Sequence, residues 1–244
     1  MNSPELSLIL PCYNEGEHFL SSISQVVTSL QESKLKYEII FVEDNSSDRT
    51  ISLIEWFMKK NRRIPASLIK HVQNQGRGKS VSDGFIKARG QFVGYIDIDC
   101  EVSPMYIGNF VKALQDGADV VCANRQYIFA LESTPRWLAS TFYRFISRVL
   151  LQHPFNDTES GYKFFRKKTI IPLLKQIKNQ HWFWDTEIML YSLYEGLRVY
   201  EINVLFNRKP YKTSTVRLIP DAVIYFKELL RFRRTLKQKY LSQQ

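Results

Sequence analysis

The 244-residue sequence has three cysteines, Cys12, Cys100 and Cys122, with no C-x-x-C spacing among them. A disulfide frame and a cysteine zinc site are therefore not expected, and a reducing compartment is. The four histidines, His18, His71, His153 and His181, are scattered and form no metal-ligand pattern. No run approaches the ~18 consecutive apolar residues of a membrane span. Met1–Glu5 lacks a basic stretch followed by an apolar one, so no signal peptide is expected. There is no internal repeat and no low-complexity linker. No G-x-G-x-x-G follows the first apolar run, which excludes a dinucleotide fingerprint. Gly78-Lys79-Ser80 ends like a Walker A loop, but Gln73 stands where its first glycine is required, so half of the phosphate cradle is missing. Gly76 and Gly78 still permit close backbone approach to an anion at a helix N-terminus.

What is present fits one α/β domain with a full core. Hydrophobic residues make up 44% of the chain and charged residues 24%, ordinary values for a globular protein of this length. The net charge of +10 is unevenly placed: residues 208–244 carry ten Lys and Arg against two acids. A basic end on a near-neutral body points to an anionic partner. No nucleic-acid recognition motif accompanies the charge, so nucleic acid is not expected as that partner.

Apolar, β-branched runs predict strands over Leu6–Leu10, Glu38–Val42, Ser67–Val72, Phe92–Ile96 and Asp119–Ala123. Helical spacing predicts helices over Glu17–Leu35 and Asp48–Asn61, the second capped by Ser46 or Ser47. Two more are expected, one from the Asn74–Ser80 loop to about Arg89 with Gly90 at C′, and one over Pro104–Asp116. Five alternations at βαβ spacing predict a Rossmann-like, mostly parallel sheet with helices on both faces.

The chemistry concentrates at the end of the fourth strand, in Asp97-Ile98-Asp99-Cys100-Glu101. The carboxyl ends of parallel strands are where open α/β sheets place ligands. On extended backbone Asp97 and Asp99 point the same way and Glu101 continues the phase. Three oxygen donors suit a hard cation, Mg²⁺ or Mn²⁺. The alternative is an acidic strand-end turn.

Seven segments, in order, resemble family 2 glycosyltransferases of GT-A fold. They are Leu8–Glu15 (LILPCYNE), Val42–Thr50 (VEDNSSDRT), Asn74–Gly78 (NQGRG), Asp97–Asp99 (DID), Asp157–Arg166 (DTESGYKFFR), Phe183–Glu187 (FWDTE) and Arg198–Val204 (RVYEINV). The likeness runs from about Leu6 to Ser214 and is similar to the branch containing dolichol-phosphate mannose synthase and bacterial polyprenyl-phosphate sugar transferases. It implies a GT-A domain over 1–214 and a C-terminal amphipathic basic segment over 215–244. It also implies a nucleotide-sugar pocket lined by Pro11, Tyr13, Glu15, Val42, Asp44, Asp97, Ile98 and Asp99. Asp44 would meet the base or ribose, unless it caps the turn before Asn45. Asp97, Asp99 and Glu101 would hold the metal, Glu101 standing where that branch commonly has Gln. Arg125, Arg136, Ser140 and Arg208 would hold an acceptor phosphate. Tyr211 stands where the family's Arg208 loop usually has glycine.

Arg136, Ser140, Arg144 and Arg148 recur every four residues beside Trp137, Phe142, Phe145 and Val149, an amphipathic basic stripe suited to a membrane surface or to a solvated helix face. Pro220–Leu236 repeats the pattern. The implied reaction is inverting transfer of a hexose from GDP-mannose or a UDP-sugar to a dolichyl or undecaprenyl phosphate. It would be catalysed by Asp97, Asp99, Asp185 and Arg125 at the cytosolic membrane face, where a partner subunit could supply anchoring. Two alternatives stay open. One is a sugar-hydroxyl acceptor with Asp185 as general base, which such an acceptor requires; otherwise Asp185 is a positioning residue or a helix N-cap. The other is a sugar-nucleotide-binding protein without turnover.

Overall fold

The computed structural model describes residues 3–16, 18–127, 134–207 and 218–241, without the side chains of 134–141, 218–223 and 241. Its centre is a seven-stranded sheet of β1 (Leu6–Cys12), β2 (Tyr37–Glu43), β3 (Ala66–Lys70), β4 (Phe92–Ile96), β5 (Val120–Tyr127), β6 (Tyr162–Arg166) and β7 (Val199–Phe206). The spatial order is β3-β2-β1-β4-β6-β5-β7. All pairings are parallel except those of β6, which runs antiparallel to both β4 and β5. The expected mostly parallel sheet is therefore present, with β6 and β7 added beyond the five alternating strands. The insertion of β6 brings its N-terminal end, Tyr162, beside Ile96 at the C-terminal end of β4. The C-terminal ends of β1, β2, β4 and β5 and the approach to β6 thus share one edge.

Helices cover both faces. On one, α1 (Phe19–Glu32), α2 (Thr50–Lys60) and α4 (Ile107–Gln115) enclose a core. α1 reaches it through Phe19, Ile23, Val26 and Leu30, the spacing of one helix face. On the other, α3 (Arg77–Lys87), α6 (Lys167–Leu174), α7 (Trp184–Tyr194) and α8 (Leu218–Leu236) enclose a second core. Every residue of α7 from Trp184 to Ser192 is buried, because α8 covers its outer side. Phe232 of α8 lies 5.7 Å from the ring of Phe183 and 5.3 Å from that of Tyr191. The basic C-terminal helix is therefore anchored to the body through Leu229, Phe232 and Leu236.

α5 (Thr134–Leu151) packs against α8, with Tyr143 and Tyr225 in ring contact at 5.2 Å. Their outward side exposes Phe142, Phe145 and Val149 from α5 and Ile224, Phe226 and Leu230 from α8. Among the described residues no helix is long and apolar enough to cross a membrane.

Two local expectations are corrected. Neither Ser46 nor Ser47 caps α2; the Asp48 carboxylate accepts from Thr50 N at 2.9 Å and from Gly16 N at 2.8 Å. Gly90 is not a left-handed C′ residue. It is needed for close approach, since a Cβ there would lie 2.6 Å from Ser7 N.

Candidate active site

Two turns at the sheet edge are stitched together. Asn14 N donates to Ser46 Oγ at 3.0 Å, Glu15 N to Thr50 Oγ1 at 2.7 Å, and Ser47 N to Asn14 Oδ1 at 2.9 Å. Asn14 and Asn45 sit at positive φ, which Asn tolerates better than most residues. This fixes the β1–α1 turn against the β2–α2 turn and leaves Tyr13 exposed beside Pro11. Of the other expected pocket residues, Val42 is buried in one core and Ile98 in the other. Their side chains pack inward, so only their backbone can line the edge.

Asp44 is buried and its carboxylate is occupied by protein. Oδ1 accepts from Gln75 N at 2.8 Å and pairs with His71 Nδ1 at 2.7 Å; Oδ2 accepts from Gly76 N at 2.9 Å. Asp44 therefore fixes the Asn74–Gly78 loop. The N-terminus of α3 is likewise filled by the chain itself: Lys79 N donates to Gln180 O at 2.9 Å. A Cβ at Gly76 would lie 2.6 Å from that carbonyl, and one at Gly78 would lie 2.8 Å from Trp184 Cδ1. These glycines admit the 178–184 segment, not an anion.

Asp97 and Asp99 stand at the edge as expected, but not by strand alternation. β4 ends at Ile96, and Asp97–Glu101 form a turn with Cys100 at φ +53°. The turn removes the common phase, so the expected set of Asp97, Asp99 and Glu101 is not preassembled. Among the described residues no three Asp, Glu, His or Cys side chains converge on a metal position. Two all-oxygen ligands at an open edge still fit Mg²⁺ or Mn²⁺, which commonly take one or two carboxylates and complete their shell with phosphates and water. Asp97 and Asp99 would hold such an ion.

Behind Asp97 lies a buried chain of alternating charges that sequence reasoning did not assemble. Arg77, the first residue of α3, donates from Nε to Asp97 Oδ1 at 2.7 Å and from Nη1 to Asp185 Oδ2. Its guanidinium lies 5.2 Å from the ring centroids of both Tyr95 and Trp182. Asp185 Oδ1 accepts from the Tyr95 hydroxyl and from Lys163 Nζ at 2.7 Å. Lys163, completely buried on β6, also donates to Tyr95 Oη at 3.1 Å and to Ser160 O. Burial pushes the Asp97 carboxyl upward and Arg77 pulls it back, but neighbouring Asp99 helps keep the net shift upward. Burial works against the charge of Arg77, yet Asp185 and Asp97 raise its pKa well above the ordinary value. Asp185 is not a helix N-cap: it lies inside α7, whose N-cap is Phe183. Asp97 and Asp185 were candidates from the sequence; for their buried partners the sequence carries one signal, a lone Lys inside the apolar run of β6.

The other end of the edge is cationic. Arg125 at the end of β5 pairs bidentately with buried Asp157, Nε to Oδ2 at 2.6 Å and Nη2 to Oδ1 at 3.0 Å. Burial opposes ionisation of Asp157, but Arg125 outweighs it and lowers the carboxyl's pKa. Arg125 and Arg144 flank one ring, that of Tyr127, at 6.0 and 5.4 Å. Arg144 thus joins Arg125 as a phosphate-binding candidate. The side chains of Arg136 and Ser140, and all of Arg208, lie outside the described residues. Between the two charge groups, burial raises the Glu159 carboxyl to about 8.

The sequence resembles glycosyltransferase AglD of Haloferax volcanii, 27% identical over 236 residues that span 93% of this chain and 36% of that protein. It also resembles a dolichyl-phosphate beta-glucosyltransferase of Dictyostelium discoideum, 25% identical over 92% of this chain and 75% of the relative. The chain thus spans about a third of the first relative's length and three quarters of the second's. Among solved structures the fold matches glucosyl-3-phosphoglycerate synthase from Mycobacterium tuberculosis in complex with Mn²⁺, UDP and glucosyl-3-phosphoglycerate. There the TM-score is 0.68 at 15% identity, over 97% of this chain and 80% of that one. The sequence model of glycosyl transferase family 2 matches residues 7–174, most of the sheet and the Asp97–Glu101 turn, and the chain belongs to that family.

Proposed function

We propose that this glycosyltransferase moves a hexose from a nucleotide-diphosphate sugar to a polyprenyl phosphate, inverting the anomeric carbon. The observation that carries this reading is the environment of Asp185. A hydroxyl acceptor needs a base within hydrogen-bond reach, and Asp185 is the acidic residue expected to serve. It is 1% exposed, and both carboxylate oxygens already accept hydrogen bonds from Arg77, Tyr95 and Lys163. A phosphate acceptor has no such need, because it is already ionised at neutral pH. The likeness to the Dictyostelium dolichyl-phosphate beta-glucosyltransferase supports the same acceptor class and favours glucose as the sugar. The Mn²⁺ and UDP in the mycobacterial complex support a divalent cation and a nucleoside diphosphate donor.

In this mechanism the stitched Tyr13 and Ser46 turns border the nucleoside, and Asp97 and Asp99 face the diphosphate. Asp97 and Asp99 would hold a divalent cation there, which when bound would supply neutralisation of the charge developing on the leaving diphosphate. Arg125 and Arg144 hold the acceptor phosphate in line with the anomeric carbon, a positioning effect of the kind that lowers a bimolecular barrier most. A phosphate oxygen forms the new bond to the anomeric carbon as the bond to the diphosphate breaks, and no proton has to be removed. The exposed apolar stripe of α5 and α8, beside Lys227, Arg231 and Arg234, suits contact with an anionic membrane surface, where a polyprenyl chain resides. The test is a panel of UDP- and GDP-hexoses, each with a short polyprenyl phosphate and Mn²⁺. Product from at least one donor is expected, and no product from any of them would remove the reading.

A further inference from the structure

We infer that Asp185 and Arg77 form a positioning device for the donor-site carboxylate Asp97, and that Asp185 acts on the reaction only through Arg77. The inference rests on the donor-site reading of Asp97 and goes beyond it by giving the buried charges a role. Four elements each supply one member: Lys163 from β6, Asp185 from α7, Arg77 from α3 and Asp97 from the end of β4. The four charges alternate and sum to zero, which is the condition under which buried ions are tolerated. Asp185 is 1% exposed and both of its oxygens already accept hydrogen bonds from the protein, so it is not presented to a substrate. What its charge does is hold one arm of the Arg77 fork while the Nε arm holds Asp97 Oδ1.

The second oxygen of Asp97 is constrained from the other side. Asp97 N donates to Gly161 O at 3.0 Å, and Oδ2 lies against the Cα of Gly161. Arg77 Nη2 is buried without a hydrogen-bond partner and abuts the same glycine. The carboxylate plane is therefore set by a fork on Oδ1 and a wall beside Oδ2. The fork needs a planar, bidentate cation, which Lys cannot replace even though it carries the same charge. Residues that orient ligand carboxylates in this way typically govern metal affinity or activity by ten- to a hundredfold.

The test is Mn²⁺ binding followed by electron paramagnetic resonance in the presence of UDP, with a parallel titration in GDP. Arg77→Lys keeps the charge and loses the fork, so Mn²⁺ affinity should weaken about tenfold or more. Because a single change leaves a buried charge uncompensated, the charge-balanced pair Arg77→Gln with Asp185→Asn is measured alongside it, each fold checked by circular dichroism. The pair should bind Mn²⁺ no more weakly than the worse single variant, the non-additivity of residues acting as one unit. A folded double variant that binds Mn²⁺ as tightly as the wild type would overturn the device. So would an Asp185→Asn enzyme that loses over about a thousandfold in kcat with Mn²⁺ affinity unchanged, since that is the signature of a general base. The binding readout involves no acceptor and stays interpretable if polyprenyl phosphate is not the acceptor. Failure of the wild type to bind Mn²⁺ with either nucleotide overturns the donor-site reading itself.

Discussion

Replacing Gly161 by Ala should damage the donor site more than its size suggests. Gly161 has no positive φ to protect, so the effect is steric. A Cβ there would overlap Asp97 Oδ2 and sit 2.5 Å from Arg77 Nη2, about 1 Å short of an ordinary contact. Neither neighbour can yield freely. Asp97 is tied to Arg77 and to the Gly161 carbonyl, and Arg77 is wedged between Tyr95 and Trp182. Overpacking of this kind costs about 1–3 kcal/mol, or roughly 2–12 °C in Tm for a chain of this size. A misplacement of about 1 Å in a catalytic group costs on the order of a hundredfold in rate. Initial rates of sugar transfer and a thermal melt, measured on the same preparation, read both effects. Gly108→Ala is the control, because the nearest atom to its Cβ is Ser33 Cβ at 3.9 Å. It should leave the rate unchanged and not lower Tm. A Gly161→Ala enzyme with wild-type rate and Tm would refute the packing of Asp97 described here.

Asp97→Ala and Asp99→Ala should each abolish transfer, and wild-type rates in either variant at saturating Mn²⁺ would remove them from the donor site. Changing Phe142 and Phe145 together to Ser should weaken sedimentation with phosphatidylserine-containing vesicles at least tenfold, given about 1.5–3 kcal/mol for each side chain buried; unchanged binding would exclude the α5 stripe from the membrane surface. Stability should fall as pH rises from Glu159's ordinary 4.5 toward about 8. In that window the folded protein holds a proton that the unfolded chain has released, and the slope is at most about 1.4 kcal/mol per pH unit. Glu159→Gln should flatten this part of the urea-denaturation profile, and an unaltered profile would contradict the burial of that carboxyl. Stability should also fall as pH drops from 6.5 toward about 4, because burial and nearby Arg148 hold His153 neutral in the fold.

The parallel half of the sheet was legible because each of its strands is an apolar run ended by a polar turn, and the period is local. β6 and β7 were legible only as segments of the family resemblance: the antiparallel insertion of β6 between two parallel strands leaves no local signal, since its pairing is set by residues 66–74 positions away on β4 and 41–45 away on β5. Asp97 and Asp99 were placed at the edge because strand ends are where such sheets present chemistry, whereas Arg125 came as a candidate only from the family resemblance. The Glu101 phase failed because alternation holds only while the strand continues, and β4 stops at Ile96. Asp44 and the Gly76 loop looked like ligand-binding groups because a carboxylate and exposed N–H groups are equally suited to one another. The Arg77–Asp185–Lys163 chain joins residues 22 to 108 positions apart, and only the fold brings them together.

The central claim is that the acceptor arrives already ionised and needs no protein base. The most direct measurement compares one polyprenyl chain carried as its phosphate and as its free alcohol, with the same donor, Mn²⁺ and detergent. Sugar is expected on the phosphate and not on the alcohol. Transfer to the alcohol, or to a glycan hydroxyl, with kcat/KM comparable to that for the phosphate would contradict it.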